Sequence, residues 1–547
     1  MGRTVLLSSK VFVGDDACER AVPLCVAIEG TRVAETFSPD ELEAHLLCGD
    51  ELVDVGDAFV SPGLHDAHEH VFHAALFPSE VACEYAGTSE ADCVAHMVEF
   101  AATRPQRGWL VSHGWRDNLW DPPVPPTRAS LDEAFPDRPV AMYSGDAHTV
   151  WVNSCGLAEL GITDETEPPQ GGSFDRDADG HVTGVLREAA GMLYVGRILS
   201  SFSDAEKVSI YRDYFRKLSA MGITSVCDMA LSLIPGADAI NPTVYETLRD
   251  AGELCVRAHL FPALGDDESI LEGLQDRLTG EMLRAPGFKQ FFDGVSSQHT
   301  AWCSEPYANA RFAGDKGRPT VDPSRMRELV MQAASRGHAV RIHCIGDAAV
   351  HEAISIFADA RAAFGDPTQG ANSIEHAEDV QPDDIARMAA ANVVCSVQPP
   401  HVTIDITQPD RDLGPERAAR MWPFDAMLDQ GVTLALGTDA PVVGAAPGDV
   451  LYTACTRRTP RGHEPAAGWH PEHDLTRAQA LRAYCLGSAR AVGRADELGT
   501  LEPGRLADLV VWDRDLLSCP DDDLQLARPL ATYVGGRRVY DSEGSDR

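Results

Sequence analysis

The segment with the clearest chemical potential is Ser61-Pro62-Gly63-Leu64-His65-Asp66-Ala67-His68-Glu69-His70. It follows an apolar run, starting at residue 59, that we predict to be a strand. In an extended chain, residues i and i+2 point to the same side, so His68 and His70 can direct both imidazoles to one point. Two converging neutral imidazoles suit a borderline divalent cation such as Zn²⁺. The segment therefore predicts one half of a metal site.

Four further segments could supply the ligands that this half-site lacks. They contain Lys289 in Phe-Lys-Gln-Phe-Phe-Asp-Gly, His343 in Arg-Ile-His-Cys-Ile-Gly-Asp, His376 in Ile-Glu-His-Ala-Glu and Asp439 in Gly-Thr-Asp-Ala-Pro. Taken singly, each residue could be a satisfied core side chain, a helix cap or a turn aspartate. Their shared position at the ends of predicted strands favours a single metal centre.

Lys289 is one of five lysines in the chain. An ammonium group facing divalent cations would be repelled, whereas burial and nearby positive charge favour the neutral amine. A neutral amine can take up CO₂ and become a carbamate, an anion that can bridge two metal ions. The alternative is an ordinary ion pair, for example with Asp293, and these considerations leave both open.

Hydrophobic periodicity indicates the elements that would position these residues. From about residue 59, apolar strands alternate with amphipathic helical segments such as 323–335 and 348–364, the pattern of βα units around a parallel sheet. The predicted strands are 59–63, 223–228, 256–261, 288–292, 339–343, 373–376, 393–397 and 433–437. Eight such units predict a (β/α)₈ barrel, and an open sheet of six or seven strands is the alternative.

Two parts of the chain fall outside this pattern. Short strands at both ends indicate that the termini meet in one small sheet domain, unless they form two unrelated hairpins. About 160 residues separate the first two predicted strands, far more than one crossover needs. We therefore expect an insertion at the mouth of the barrel, where it can cover a site.

These motifs give the chain a specific resemblance to a known family. It resembles the amidohydrolase superfamily of metal-dependent hydrolases, and within it the branch that includes N-substituted formamide deformylases. The resemblance rests on the five segments above. Further matches are Pro126-Thr127-Arg128, Trp151-Val152-Asn153-Ser154, Gln398-Pro399, Met421-Trp422-Pro423-Phe424 and the run Gly-Thr-Leu-Glu-Pro-Gly-Arg-Leu-Ala-Asp at 499–508. It therefore covers nearly the whole chain.

The resemblance implies an α/β fold. The expected architecture is a (β/α)₈ TIM barrel, a small β-sandwich domain formed by both termini, and an inserted subdomain after the first strand. The expected domains are a first sandwich part at 1–58, a barrel at 59–485 with the insertion at about 75–215, and a second sandwich part at 486–547.

The resemblance also implies a metal centre and a reaction. One ion would be held by His68, His70 and Asp439, a second by His343 and His376, with carboxylated Lys289 as the bridge. One or two divalent ions, with zinc as the expected metal, would activate a hydroxide that cleaves the C–N bond of an N-substituted amide or formamide, with Asp439 as the base. Cyclic amides, carbamates or esters are alternative substrates, and a catalytically silent binding or regulatory relative is a further alternative.

Four side chains are candidates for substrate contact: His148, His299, Trp115 and Trp302. His148 lies with Asp146 in a motif similar to the branch, although an ordinary Asp–His hydrogen bond explains the pair equally well. His299 stands where relatives often carry arginine, and the tryptophans could line an apolar pocket. His65 and Glu69 depart from the family pattern, and each could either orient an imidazole or lie exposed.

Charge and cysteine content exclude several classes of function. The chain has 84 acidic and 46 basic residues, a formal net charge of −38, so nucleic acid and anionic membranes are not expected partners. The fourteen cysteines are scattered, without a Cys-x-x-Cys pair, and we find no signal peptide or bilayer-length apolar run. We therefore expect a cytoplasmic protein that acts on a small molecule. Its β-rich termini could form a homodimer interface, which the sequence does not decide.

Overall fold

Strands from both ends of the chain are paired in one sheet. The computed structural model describes residues 2–104, 108–145, 147–169, 171–199, 201–231 and 239–543. In spatial order the strands are Arg537–Asp541, Pro529–Val534, Leu509–Trp512, Phe59–Pro62, Thr4–Val11, Val22–Glu29 and Arg32–Phe37, with Glu51–Asp54 also paired to Thr4–Val11. The expected sandwich is thus a single hydrogen-bonded sheet, and the domain boundaries stay predictions.

Eight parallel strands position the candidate site. They are β1 Leu64–Glu69, β2 Ile223–Met229, β3 Arg257–Phe261, β4 Gly287–Phe291, β5 Ala339–Cys344, β6 Ser373–His376, β7 Val394–Val397 and β8 Leu434–Leu436. Strands β1 to β3 form one parallel sheet, edged by Leu283–Arg284, and β4 to β8 form a second. Single bridges link the two sheets at both edges, from Ala263 to Lys289 and from Glu69 to Ala440.

The prediction that residues 59–63 form the first strand of the barrel is wrong. Residues Phe59–Pro62 pair with Leu509–Trp512 and Thr4–Val11, so they belong to the sheet of the chain ends. The strand that pairs with β2 is Leu64–Glu69, whose six residues are all buried although four of them are ionisable. Periodicity favours the apolar run because a fully buried polar strand gives no hydrophobic signal. The other seven strands lie where expected, within one or two residues at their ends.

Helices connect and flank these strands. Outside the insertion they are Leu42–His45, Pro242–Asp250, Ser269–Arg277, Pro323–Ser335, Asp347–Phe364, Pro382–Ala390, Gln408–Leu413, Pro415–Ala418, Phe424–Asp429, Pro447–Thr456, Arg477–Arg482 and Ser488–Ala491. Helix Pro323–Ser335 begins where sequence rules place it, with proline at its first turn and Asp322 accepting from the amide of Ser324. Within the described ranges, no helix combines the length and apolarity that crossing a membrane requires.

The insertion between β1 and β2 has its own sheet. Its strands, in spatial order, are Gly172–Arg176, Val182–Glu188, Thr149–Val152, Val140–Ser144, Leu110–Trp115 and Cys83–Glu84. The helices of this interval are Val71–Leu76, Glu90–Ala102, Arg128–Ala134, Ser154–Leu160, Ala189–Leu199 and Asp204–Ala220. A buried cluster that includes Trp115, Trp120 and Trp151 fills one face of this sheet. The insertion is therefore a folded unit with a hydrophobic core of its own.

Candidate active site

A cavity of about 500 Å³ opens where the parallel strands end. His343 of β5, His376 of β6 and Asp439, three residues after β8, form part of its wall. Trp115 and His148 of the insertion line the same cavity. Parallel α/β proteins bind ligands at the carboxyl ends of their strands, and this volume suits a small molecule.

His68 and His70 present their ring nitrogens to one carboxylate. His68 Nδ1 lies 2.5 Å from Glu375 Oε2, and His70 Nδ1 lies 2.9 Å from the carbonyl oxygen of Met229. These acceptors favour the tautomer with the proton on Nδ1 and a lone pair on Nε2. Both Nε2 atoms lie 3.3 Å from Asp439 Oδ1. The two imidazoles therefore converge as their i, i+2 spacing predicts.

Asp439 is held in place by the backbone around it. Its residue has a φ of 61°, and its amide donates to the carbonyl of His68 at 2.7 Å. Burial alone would raise the pKa of Asp439, but the imidazoles of His68, His70 and His376 hold this pKa well below its usual range. Asp439 is thus an anion at neutral pH, as a metal ligand must be.

A buried ion pair behind His68 was not predicted from the sequence. Arg341 Nε donates to Glu375 Oε1 at 2.7 Å and Arg341 Nη2 donates to Glu375 Oε2 at 3.1 Å. Both side chains are fully buried. Burial acts to raise the pKa of Glu375, but the Arg341 guanidinium, followed by His68, lowers it well below the usual range. The carboxylate is therefore ionised and can hold the Nδ1 proton of His68.

His343 and His376 lie on the same side of the site as His68. Their ring centroids are 4.5 Å apart, and the ring of His376 lies 5.0 Å from that of His68. Burial is the main cause that lowers the pKa of both imidazoles well below the ordinary value, so both are neutral. His343 Nε2 also lies 3.2 Å from the carbonyl oxygen of Gly294.

Lys289 is fully buried, and its amine is not paired with Asp293. The Asp293 carboxylate accepts from the amides of Ile345, Gly346 and Trp302 at 2.8 to 3.0 Å. Burial lowers the pKa of Lys289 to about 8, although the carboxylates of Glu375 and Asp439 act in the opposite direction. A substantial fraction of this lysine is therefore a neutral amine near physiological pH.

The donor atoms at this site fit a divalent ion. One ligand atom from each of His68, His70 and Asp439 lies within 4.8 Å of the others. Among the described residues, His68 Nε2, Asp439 Oδ1 and Lys289 Nζ are buried without a hydrogen-bond partner. Such orphaned atoms are costly unless a ligand satisfies them. Two imidazoles and a carboxylate beside an open cavity are the donor set of many catalytic zinc sites.

The structure separates the four residues predicted to contact substrate. His148 and Trp115 line the cavity, and Trp115 Nε1 donates to the carbonyl of Met142 at 2.8 Å. His299 lines a neighbouring cavity and bonds Asp315 at 2.8 Å. Trp302 packs against Phe292 and is not part of the cavity wall in the described chain. Asp146, the sequence neighbour considered with His148, lies outside the described residues.

His65 and Glu69 are buried side chains whose hydrogen-bond partners lie outside the proposed ligand set. His65 Nε2 lies 3.5 Å from the Cys227 thiol, and burial lowers the pKa of His65 to about 3. Glu69 accepts a short hydrogen bond from the Tyr214 hydroxyl, and burial raises the pKa of Glu69 well above its ordinary value. Neither is exposed, and within the described structure neither side chain is hydrogen bonded to a metal-ligand candidate.

Two further ionisable residues on the cavity wall were missed by sequence reasoning. His401 Nε2 lies 3.6 Å from Asp439 Oδ2, and His401 Nδ1 lies 3.5 Å from Glu378 Oε1. His376, Glu378 and His401 form a second group whose geometry could hold a cation. Glu378 stands two residues after His376, so its nearness to a predicted ligand was the available signal. His401 follows the Gln398-Pro399 match closely, but nothing in the sequence places it at the site.

Comparison with known proteins covers almost the full length of the chain. Protein LONG AFTER FAR-RED 3 of Arabidopsis thaliana is 28% identical over 544 residues, which cover 98% of this chain and 91% of that protein. N-substituted formamide deformylase of Arthrobacter pascens is 26% identical over 563 residues, which cover 97% and 96%. A family model described as the amidohydrolase family matches residues 51–540.

Solved structures show the same fold. An uncharacterised metal-dependent hydrolase from Pyrococcus horikoshii superposes with a TM-score of 0.74 at 22% identity, covering 95% of this chain and 99% of that one. Atrazine chlorohydrolase TrzN from Arthrobacter aurescens, solved with zinc, gives 0.54 at 17% identity and covers 99% and 96%. The predicted resemblance is therefore confirmed: the chain belongs to the amidohydrolase family and is a hydrolase that acts on carbon–nitrogen bonds.

Proposed function

We propose that this enzyme hydrolyses N-substituted amides or formamides that carry an apolar substituent. The observation that carries this is the convergence of His68, His70 and Asp439, with orphaned donor atoms, at the base of a cavity that also has apolar walls. Those apolar walls include Leu119, Ile404, Leu413, Met421, Trp422, Val442 and Val443. The similarity to a deformylase supports the same substrate class.

We propose that the two parallel sheets are halves of one (β/α)₈ barrel. The bridges from Ala263 to Lys289 and from Glu69 to Ala440 support closure at both edges. The amide of His70 also donates to the carbonyl of Ala440 at 3.0 Å, beside the bond from Asp439 to His68. Closure would bring all the ligand candidates to one rim, as the proposed chemistry requires.

The metal ligands proposed for this enzyme are His68, His70, His343, His376, Asp439 and Lys289. A divalent ion held there, with zinc favoured by the donor set, would polarise the substrate carbonyl and acidify water. The role of Lys289 follows from its neutral amine: nitrogen adds to CO₂, a proton leaves, and the resulting carbamate is the anionic ligand. Burial and the lowered pKa of Lys289 support this step.

Asp439 is the proposed proton carrier. Its carboxylate accepts a proton from the attacking water as the water oxygen bonds to the carbonyl carbon. The C–N bond then breaks, and the leaving nitrogen takes the proton that Asp439 holds. The products are a carboxylic acid and an amine. Trp115 and His148 are placed to contact the substrate from the insertion side, since both line the cavity.

The test combines metal content with hydrolysis. Protein purified in bicarbonate without chelator is expected to hold about one or two equivalents of zinc or a similar ion, and to release amine from N-butylformamide. Removal of the ion should abolish amine release, and its return should restore it. Protein that takes up no metal on titration, and that releases no amine, would contradict the enzyme mechanism and favour a binding or regulatory role.

A further inference from the structure

A buried carboxylate that does not line the candidate active site lacks a hydrogen-bond partner. Glu268 is 2% exposed, and neither of its carboxylate oxygens is hydrogen bonded to a described residue. It is the N-cap of helix Ser269–Arg277, but its side chain accepts no hydrogen bond from the helix amides. His338 is 8% exposed, and its unpartnered Nε2 lies 3.6 Å from Glu268 Oε2. Because burying such groups without a partner is costly, the two side chains point to a ligand between them.

Glu272 brings a second carboxylate to the same place. It follows Glu268 by four residues, the spacing that puts two side chains on one face of a helix. Its Oε1 lies 3.9 Å from His338 Nε2, and one ligand atom from each of the three residues lies within 4.8 Å of the others. The His338 ring packs edge-on against Phe288, with ring centroids 5.8 Å apart, and this contact orients the imidazole. Three metal-binding side chains therefore converge.

The distances between these atoms suit a metal ion better than direct hydrogen bonds. A hydrogen bond between a charged donor and a carboxylate measures about 2.7–2.9 Å, so 3.6 and 3.9 Å are too long for one. A tetrahedral zinc ion with bonds of about 2.1 Å holds its ligand atoms about 3.4 Å apart. Because Mg²⁺ and Ca²⁺ prefer oxygen ligands, one imidazole with two carboxylates favours zinc, and water can supply the fourth ligand.

Arg336 is a cation that competes for the same carboxylates. Its Nη1 lies 2.8 Å from Glu272 Oε1, and its Nε lies 3.6 Å from Glu268 Oε2. The arginine side chain is 50% exposed. One guanidinium cannot neutralise two carboxylates, and it makes no hydrogen bond to the buried one. Arg336 can therefore turn into solvent when a divalent ion binds.

We propose that Glu268, Glu272 and His338 form a structural zinc site separate from the active site. His338 immediately precedes β5, and the active-site ligand candidate His343 stands five residues later. At about 3.3 Å per residue of extended chain, about 17 Å separate the two histidines along the strand. An ion held at His338 is too distant to act on a substrate in the cavity. It joins the start of helix Ser269–Arg277 to the start of β5 and stabilises the fold there.

The test counts zinc ions per chain by titration against a chromogenic chelator. The unmodified protein should bind one equivalent more than His338→Gln and one more than Glu272→Gln. Glu272 has an exposed side chain, so its variant provides the answer if His338→Gln does not fold. Added zinc should also raise the midpoint of thermal unfolding more in the unmodified protein than in either variant, because an ion that binds only the folded state stabilises it. Arg336→Gln removes the competing cation and should bind this ion more tightly.

The matched control is a histidine whose carboxylate partner is at hydrogen-bond distance. His181 Nδ1 lies 2.8 Å from Asp164 Oδ2 on the exposed surface, so His181→Gln should keep every equivalent of zinc. Equal zinc counts in the unmodified protein, His338→Gln and Glu272→Gln would overturn the proposal. Weaker zinc binding in Arg336→Gln would also overturn it, because it would show that the arginine supports the group instead of competing with an ion.

One further variant separates this inference from the proposed active site. His68→Gln should lose zinc from the active site and retain the equivalent that His338 binds. If His68→Gln and the unmodified protein bind equal amounts of zinc, the proposed active-site centre has failed. The loss of one equivalent in His338→Gln would still support the structural site, since this count does not depend on the hydrolysis of any amide.

Discussion

At the scale of single residues, we expect Glu375 to influence metal affinity although it is not a proposed ligand. Its Oε2 lies 2.5 Å from His68 Nδ1 and favours a proton on that nitrogen, while its Oε1 accepts a hydrogen bond from Arg341. Glu375→Gln would remove the charge that favours this proton position. We expect the affinity for zinc to fall by about 10–100-fold, measured by competition with a chromogenic chelator.

The matched control for this variant is Glu352→Gln. Glu352 also pairs with an arginine, since Arg327 Nη2 lies 3.2 Å from its carboxylate, but the pair lies on the protein surface. Its zinc affinity should equal that of the unmodified protein. An unchanged affinity in Glu375→Gln would show that the carboxylate stabilises the core without tuning the metal site.

Lys289 gives a second prediction at this scale. Lys289→Arg keeps a positive charge but cannot form the carbamate, because a guanidinium stays protonated. With ¹³C-bicarbonate, the unmodified protein should show one carbamate signal by ¹³C NMR, and Lys289→Arg should lose it together with about one equivalent of bound metal. Lys316→Arg, at an exposed lysine, should change neither. A carbamate signal that persists in Lys289→Arg would exclude this lysine as its carrier.

Individual residues show how far the site can be read from sequence. His68, His70 and Asp439 were predicted as ligands, and the structure brings them together because each follows or ends a parallel strand. Glu375 and Arg341 were missed, although both stand in segments that the motifs included. The pairing of His68 with Glu375 spans 307 positions in the chain, and sequence spacing carries no signal for such a contact.

At the scale of elements, the join between β1 and the sheet formed by the two chain ends, here called the terminal sheet, is tightly packed. Gly63 separates Phe59–Pro62 from β1, and a Cβ there would lie 2.1 Å from Thr224 Oγ1 and 2.8 Å from Thr224 Cβ. Gly63→Ala must displace β2 or β1, so we expect the free energy of unfolding to fall by about 1–3 kcal/mol. Because β1 leads into His68 and His70, zinc affinity should fall as well.

Gly273→Ala is the matched substitution for this prediction. Gly273 lies inside helix Ser269–Arg277, and a Cβ there meets nothing within 4 Å. Alanine should therefore raise the stability by about 0.5–1 kcal/mol through its better helix propensity. Thermal unfolding monitored by circular dichroism measures both variants, and a stabilising Gly63→Ala would contradict the crowding argument.

The misassigned first strand shows what periodicity can and cannot supply. Residues 59–62 and 64–69 are both fully buried, but only the first stretch is apolar enough to be read as a strand. The buried histidines, aspartate and glutamate of β1 are tolerated because they are hydrogen bonded or belong to the proposed metal site. A site that replaces a hydrophobic strand with polar residues is thus partly hidden from pattern analysis.

At the scale of the whole molecule, one buried ion pair ties the terminal sheet to the parallel strands. Arg257 of β3 donates to both oxygens of Asp508 at 2.7 and 2.8 Å, and the amide of Gly535 donates to the same carboxylate at 2.7 Å. Asp508 is the last residue of the run at 499–508 that matches the family, so the sequence marks this segment. Nothing in the sequence indicates its partner Arg257, which lies 251 positions away.

Removing the charge of Asp508 should therefore weaken the protein as a whole. In Asp508→Asn the Arg257 guanidinium stays buried without its counter-charge, which costs about 3–5 kcal/mol. Asp513→Asn breaks a more exposed pair with Arg514, just after strand Leu509–Trp512, and should cost about 0–1 kcal/mol. Urea unfolding followed by tryptophan fluorescence compares the two variants. Because Asp508 is not among the described residues that line the cavity, the zinc content of folded Asp508→Asn should be normal. Equal stability losses in both variants would show that the terminal sheet is held by apolar packing instead of this pair.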